Sequence, residues 1–161
     1  MGKSVTTGKF KARLIAAFSL LTILGGVSVV MFMQKNTAVA ADIEVFKSPT
    51  CGCCNKWVAH LKENGFKVAV HNRKNMQQVK VAMGVPHKLE SCHTAKVGDY
   101  LIEGHVPADV IARMIREKPA IKGLSVPGMP MGSPGMEGPV RDQYNVLAFQ
   151  ADGKTEVYES R

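Results

Sequence analysis

Residues 48–57, with the sequence SPTCGCCNKW, contain three of the chain's four cysteines within four consecutive positions. Ile43 to Phe46 alternates between apolar and polar residues before this loop, which predicts a strand. Cys53 to Asn64 has helical spacing of its apolar residues, and Phe66 to His71 predicts a second strand. The cysteine loop therefore lies between a strand and a helix, in a unit that favours two parallel strands with a right-handed crossover.

The following residues extend this unit. Met76 to Met83 predicts a short helix, and two short runs joined by Gly98-Asp99 predict a hairpin. Pro107 is typical of a helix start, and an apolar face follows it. The order β-α-β-α-β-β-α resembles that of the thioredoxin fold, whose redox motif occupies the position of this cysteine loop. We therefore predict an α/β fold with a thioredoxin-like domain over residues 41–120, a likeness of topology that does not by itself assign a function.

Residues 121–161 are predicted to form a C-terminal extension that contributes to a metal site. Its first part, residues 123–139, contains five glycines, four prolines and three methionines and shows no helix or strand period. Such a composition predicts that this part forms no regular element. Asp152-Gly153 lies between two short apolar runs, which predicts a terminal β-hairpin.

The first 40 residues have the layout of a secretory signal peptide. Basic residues precede an apolar run from Leu14 to Met33, and Ala38-Val39-Ala40 is a small-residue cleavage site. An uncleaved anchor is the alternative, because a run of about 20 apolar residues can span a bilayer. Either way, residues 41–161 are expected in the periplasm, and contact with the membrane is expected only if the leader is retained.

The chain's formal charge of +8 comes largely from this leader, which holds five of the 21 basic residues and none of the 13 acids. No basic run with interleaved aromatic residues remains, so we expect no nucleic-acid partner. None of the three clustered cysteines is followed at six residues by an arginine, which excludes a phosphatase-type cysteine loop.

Cys51 and Cys54 have C-x-x-C spacing at the start of the predicted helix. The positive end of a helix favours thiolate, which suits thiol–disulfide exchange. Cys53 lies inside the motif as a competing thiol that could trap or shuffle the disulfide. A redox motif of thioredoxin type thus leaves the third cysteine unexplained.

The fourth cysteine, Cys92, lies at the start of the predicted third strand. In a thioredoxin-like topology this segment faces the cysteine loop, so Cys92 is expected to approach the other cysteines across 38 residues of sequence. Soft thiolate ligands select Cu(I), and adjacent thiolates can bridge two ions. We therefore predict a metal site that holds copper, with zinc as the alternative; its ligands are Cys51, Cys53, Cys54 and Cys92.

Met129, Met131 and Met136 lie among glycines and prolines, where the sequence shows no hydrophobic face. Thioethers are soft ligands, so these methionines are predicted to form a lid over the thiolate site, with simple packing as the alternative.

Two histidines bear on the same site. His105 ends the predicted fourth strand near the site and is a candidate ligand, with hydrogen bonding as its alternative role. His93 directly follows Cys92, so strand alternation predicts that it points to the opposite face of the sheet.

The stretches SPTCGCCNKW, SCHTAKVGDYLIEGHVPADVIARMI and GLSVPGMPMGSPGME resemble the CopG-like periplasmic copper-resistance proteins, a family long described only as a domain of unknown function. With the last hairpin, the resemblance covers nearly all of residues 42–161. It implies a thioredoxin-like domain with a C-terminal extension, a cysteine-bridged copper cluster beside the CxCC loop and a role in copper redox handling. The family's extension corresponds here to Val126 to Glu137.

Three functions follow as hypotheses. The first is a periplasmic copper-binding protein that holds Cu(I) and interconverts Cu(I) and Cu(II), with a periplasmic efflux or chaperone protein as partner. The second is a thiol–disulfide oxidoreductase, and the third is a passive metal chaperone for an efflux system. The methionine segment favours the two metal-binding hypotheses over the second.

Overall fold

The computed structural model describes residues 42–161. Within this range it has seven strands, three α-helices and a short 3₁₀-helix at His87–Leu89. The strands are β1 Asp42–Lys47, β2 Lys67–Asn72, β3 His93–Val97, β4 Tyr100–Gly104, β5 Gly123–Val126, β6 Asn145–Phe149 and β7 Thr155–Ser160. The α-helices are α1 Gly52–Glu63, α2 Met76–Met83 and α3 Ala108–Glu117. All seven strands join one sheet in the order β2-β1-β3-β4-β5-β6-β7.

The predicted order β-α-β-α-β-β-α is confirmed over the first seven major elements. β1 and β2 are parallel, with α1 as their crossover, and β1 is antiparallel to β3. β3 and β4 form the predicted antiparallel hairpin. The cysteine loop therefore follows the end of β1, beside the point where β3 begins.

The two faces of the sheet are covered by different helices. Ile43 and Ala95 lie on the face that packs against α1 and α3, where Trp57 and Met114 are also fully buried. The opposite face packs against α2 and the 3₁₀-helix, through a smaller apolar cluster that includes Leu101. Each face of the sheet thus has its own core.

Residues 123–139 correct one sequence prediction, because Gly123–Val126 forms the buried strand β5. β5 pairs in parallel with β4 and antiparallel with β6, so the sheet continues into the C-terminal residues. A side-chain Cβ at Gly123 would lie 2.1 Å from the Leu101 carbonyl oxygen, so the glycine serves close backbone approach. All four residues of this short strand are buried, which removes the alternation that identifies a half-buried strand.

The terminal hairpin is confirmed as β6 and β7, which pair antiparallel across the turn at Asp152-Gly153. The predicted signal peptide, residues 1–40, lies outside the described residues. Between residues 42 and 161, no helix combines the length and apolarity needed to cross a membrane.

Candidate metal centre

The four cysteines meet at one end of the sheet. Cys51 caps the N-terminus of α1, and Cys53 and Cys54 lie in its first turn. Cys92 lies in a bend immediately before β3. Because the end of β1 pairs with the start of β3, the sulfur atoms of all four residues lie within 4.8 Å of one another. The predicted proximity of these cysteines is therefore observed.

The cysteines are present in two chemical states. Cys51 and Cys54 form a disulfide, whereas Cys53 and Cys92 are free thiols. The Cys51 and Cys53 sulfurs are 3.5 Å apart, so the third cysteine of the motif lies against the disulfide. Reduction of the disulfide would place four thiol groups in this volume, and its formation leaves two.

The helix start and the strand start give these sulfurs different environments. The Cys54 backbone N–H donates to the Cys51 sulfur at 3.3 Å, as part of the N-terminal cap of α1. Such a position favours thiolate when the disulfide is reduced. Burial, with the neighbouring Cys53 as a second cause, raises the pKa of the Cys92 thiol to about 12. Cys92 therefore keeps its proton at neutral pH until a cation takes its place.

His105 links Cys92 to the C-terminal segment. Its Nε2 lies 2.9 Å from the Cys92 sulfur, and its Nδ1 lies 2.7 Å from the Pro134 carbonyl oxygen. A carbonyl oxygen can only accept a hydrogen bond, so Nδ1 carries the hydrogen in the neutral ring and Nε2 presents its lone pair to Cys92. Burial lowers the pKa of His105, which favours this neutral form. Metal-binding histidines commonly have the same arrangement, with the second ring nitrogen donating to a carbonyl.

His93 corrects a second sequence prediction, since its ring lies beside Cys92. Its Nδ1 is 3.4 Å from the Cys92 sulfur, and its ring packs 4.2 Å from Trp57 between centroids. The strand alternation on which the prediction rests does not extend to Cys92, which lies in the bend before β3. Burial lowers the pKa of the fully buried His93 well below its usual value, so the ring is neutral.

Cys92, His93 and His105 thus form a second group of possible ligands, with one atom from each within 4.8 Å of the others. The sequence contained a signal for this group. The β3–β4 hairpin pairs Thr94 with Glu103. Cys92 and His105, each two residues beyond that pair, therefore lie side by side.

The methionine segment passes over the cysteine loop. The Ser91 hydroxyl donates to the Gly128 carbonyl, and His105 holds Pro134 as described above. A Cβ on Gly135 would lie 2.7 Å from the Cys53 carbonyl oxygen, so the segment's backbone touches the cysteine motif. Met129 is 53% exposed, whereas Met131 and Met136 are partly buried. The backbone is placed as a lid requires, and thioether ligation stays a prediction.

The comparisons with known proteins agree with this geometry. A family model described as "Protein of unknown function, DUF411" matches residues 89–136. A solved structure of copper resistance protein CopG, form 2, is 43% identical, with 75% of this chain and 98% of that chain covered and a TM-score of 0.71. The chain belongs to the CopG family. Form 1 of the same protein is 42% identical over 76% of this chain and 98% of its own, also with a TM-score of 0.71. No curated protein matches.

The predicted resemblance to CopG-like copper-resistance proteins and the mixed α/β fold are thereby confirmed.

In this CopG-family chain, an ion pair lies behind Cys92 on the α2 face of the sheet. Lys80 pairs with Glu103 and donates to the Thr94 hydroxyl at 3.1 Å. The two Glu103 oxygens accept from the Ser91 backbone N–H at 2.7 Å and from Thr94 at 2.6 Å. Burial raises the pKa of Glu103, and Lys80 opposes that effect. The pair therefore fixes the residue before Cys92.

Lys47 supplies a second buried cation on the α1 face. It is 3% exposed, pairs with His93 across the sheet and donates to the Ser48 carbonyl oxygen, which also accepts from the Cys51 N–H. None of the ion pairs within residues 42–161 includes Lys47. A buried cation without a carboxylate partner suits a neighbouring site that becomes anionic.

The donor set fits a soft metal ion. Up to four sulfurs and two neutral imidazole rings lie together, and no carboxylate belongs to either group of ligand atoms found among the described residues. Sulfur-rich sites of this kind suit copper(I) or zinc, and imidazole also suits copper(II) and zinc.

Proposed function

We propose that this chain is a periplasmic copper-resistance protein that holds Cu(I) on cysteine thiolates. The observation that carries the proposal is the convergence of all four cysteine sulfurs within 4.8 Å at one end of the sheet. The relatives at 42–43% identity are copper resistance proteins, which supports copper as the cargo. Zinc remains the alternative ion for four thiolates.

The residues around the site would serve Cu(I) binding in distinct ways. Reduction of the disulfide provides thiolates on Cys51 and Cys54 beside those of Cys53 and Cys92, and adjacent thiolates can bridge more than one ion. Binding releases the thiol protons, above all that of Cys92 with its raised pKa. Lys47 offsets the negative charge that accumulates. Met129, Met131 and Met136 add neutral thioethers that need no deprotonation.

Interconversion of Cu(I) and Cu(II) is the finer part of the proposal. Oxidation of the Cys51 and Cys54 thiols to a disulfide releases two electrons and two protons. Two Cu(II) ions would accept the electrons and become two Cu(I) ions, and the reverse reaction would reduce the disulfide. The observed disulfide within the cysteine cluster supports this coupling, because the electron donor and the copper ligands are the same groups.

A thiol–disulfide oxidoreductase is the second candidate, and one observation favours it. The Cys51–Cys54 disulfide lies at the N-terminus of α1, where the attacking thiolate of such enzymes is stabilised. Cys53 argues against this activity, because its sulfur lies 3.5 Å from that of Cys51 and would compete for mixed disulfides. A carrier without redox chemistry is the third candidate, and an efflux or chaperone protein would be its partner.

A Cu(I) titration tests the four-cysteine site. Fully reduced protein is titrated anaerobically with Cu(I) against a chromogenic chelator, for the parent and for Cys92→Ser. We expect the parent to compete for Cu(I) and the variant to lose at least about tenfold in affinity, as even outer-shell changes do at metal sites. Equal retention by both proteins would contradict the four-cysteine site.

The redox step is tested by adding Cu(II) to the reduced protein without oxygen. We expect two Cu(I) ions for each Cys51–Cys54 disulfide formed, and no coupled reaction in the double variant Cys51→Ser/Cys54→Ser. Catalysed reduction of an unrelated protein disulfide, without copper oxidation or reduction, would instead favour the oxidoreductase.

A further inference from the structure

The disulfide form of the protein raises a separate question about its metal ligands. With Cys51 and Cys54 bonded to each other, the four-thiolate set no longer exists. Cys92 remains a free thiol, and it is the only cysteine shared by the two groups of ligand atoms found within residues 42–161. The second group replaces the CxCC sulfurs with the imidazoles of His93 and His105.

We propose that Cys92, His93 and His105 form a second metal site, which binds one borderline divalent cation such as Cu(II) or Zn(II) when Cys51 and Cys54 are joined. Two imidazoles and one thiolate suit such ions, whereas clustered thiolates suit Cu(I). The disulfide would therefore change the kind of ion that this end of the sheet holds. The inference rests on the proposed function only in assuming that the disulfide and dithiol forms interconvert.

The distances agree with a shared ion. Metal–nitrogen bonds of about 2.0–2.1 Å and metal–sulfur bonds of about 2.3 Å at a tetrahedral angle place nitrogen about 3.5 Å from sulfur. The His93 Nδ1 lies 3.4 Å from the Cys92 sulfur, so this pair is already spaced for binding. The His105 Nε2, at 2.9 Å, needs to withdraw by about 0.6 Å to reach the spacing expected from those bond lengths.

His105 has both the orientation and the freedom for this adjustment. Its Nδ1 donates to the Pro134 carbonyl, which leaves the Nε2 lone pair facing Cys92. Pro134 belongs to the glycine- and proline-rich segment rather than to a strand or helix. A shift of His105 therefore does not require a break in the sheet.

His93 provides independent support, because the Nδ1 of its fully buried ring faces the Cys92 sulfur. The residue is fully buried, and its Nε2 has no hydrogen-bond partner among the described residues. Ligation through Nδ1 gives this imidazole a function that its packing against Trp57 does not.

Co(II) tests the site because it does not oxidise thiols and its visible bands report coordination. The full chain with its disulfide intact is titrated with Co(II), and visible and near-ultraviolet spectra are recorded. We expect one Co(II) per chain, tetrahedral d–d bands and a thiolate charge-transfer band. Cys92→Ser should abolish the charge-transfer band, and His93→Gln and His105→Gln should each weaken binding at least about tenfold.

His87→Gln is the matched control, because His87 is exposed and belongs to neither group of ligand atoms. It should bind Co(II) as the parent does. Absence of Co(II) binding by the disulfide form would overturn the proposal, as would binding that survives both histidine substitutions. The latter result would place the ion on Cys53 and Cys92.

A second measurement covers the case in which His93→Gln fails to fold. In the unsubstituted disulfide form, imidazole ¹⁵N spectra with and without Zn(II) should show one ring nitrogen of His93 and one of His105 changing to the metal-bound shift. Unchanged His93 nitrogens would exclude it as a ligand. Cu(I) retention by the reduced protein is measured separately, so failure of this site leaves the four-thiolate proposal intact, and the converse also holds.

Discussion

Buried polar side chains lie on both faces of the sheet around β3 and β4. The two sets differ in whether every polar atom has a hydrogen-bond partner. On the α2 face, Lys80, Thr94 and Glu103 bond to one another and to the Ser91 backbone. On the α1 face, His93 and His105 surround the Cys92 sulfur, and His93 keeps an unpaired ring nitrogen. In the first set every buried polar side-chain atom has a hydrogen-bond partner. In the second set the Nε2 of His93 has none among the described residues.

The two sets have different roles, although they lie only a few residues apart. The ion pair supports the backbone, and the imidazoles offer lone pairs to a metal ion. The ion pair holds the backbone before Cys92 through the bond from Ser91 to Glu103. The imidazoles remain neutral because burial lowers the pKa values of both rings. A neutral ring with a free lone pair can bind a cation. A carboxylate whose charge is already paired with a lysine attracts a further cation only weakly.

The largest expected effect comes from breaking the complete set. Glu103→Ala leaves Lys80 as an unpaired buried charge, and loss of one partner of a buried pair typically costs about 3–5 kcal/mol. Urea denaturation followed by fluorescence of Trp57, the chain's single tryptophan, measures this loss. The double variant Lys80→Met/Glu103→Leu is the control and should recover most of the stability. A loss below about 1 kcal/mol in Glu103→Ala would mean that the ion pair does not support the fold as described.

A smaller effect should distinguish the imidazole face by its response to pH. The folded-state pKa of His93 lies well below that of the unfolded chain, so below about pH 6.5 only the unfolded chain gains this proton. The contribution of His93 is therefore present above that pH and is lost as the pH falls, by up to about 1.4 kcal/mol per unit.

This dependence is measured as the free energy of unfolding from pH 7.5 to pH 5 with chelator present. His93→Gln should have a shallower slope than the parent, and His87→Gln should have the parent's slope. Identical slopes in the parent and His93→Gln would show that His93 is not held neutral.

The smallest expected effect on stability concerns the segment that covers the imidazole face. Replacing Met129, Met131 and Met136 with Leu preserves volume and apolarity, and such exchanges usually cost less than about 1.5 kcal/mol each. Because Met129 is already 53% exposed, its share should be near zero. Cu(I) release to a chelator should nevertheless be faster in the triple variant, since the sulfurs are gone. If the triple variant releases Cu(I) at the parent's rate, and hydrogen exchange across residues 126–137 does not change on Cu(I) binding, the methionines only pack against the domain.

Sequence reasoning predicted the parts that depend on local pattern and strand order. Alternation and helical spacing located the first strand, the helix after the cysteines and both hairpins. The likeness of that order to the thioredoxin fold predicts Cys92 beside the CxCC loop. In the structure, antiparallel pairing of β1 with β3 brings the two segments together.

What the sequence did not reveal depends on contacts rather than on pattern. β5 is short, contains Gly123 and is buried throughout, so it has no alternation to detect. Lys80 and Glu103 are residue types that usually face solvent, and only the fold shows that both are buried. His93 was assigned to the wrong face because the bend at Cys92 interrupts the strand on which the argument relied.

Joint binding of Cu(I) by four cysteines is best tested by copper X-ray absorption of the fully reduced, Cu(I)-loaded chain. We expect a first shell dominated by sulfur at about 2.3 Å, close to the usual metal–thiolate distance, with a loss of sulfur scatterers in Cys92→Ser. Bridging thiolates would add a copper–copper contribution. A first shell of nitrogen and oxygen in the reduced protein, or one that Cys92→Ser leaves unchanged, would contradict the claim.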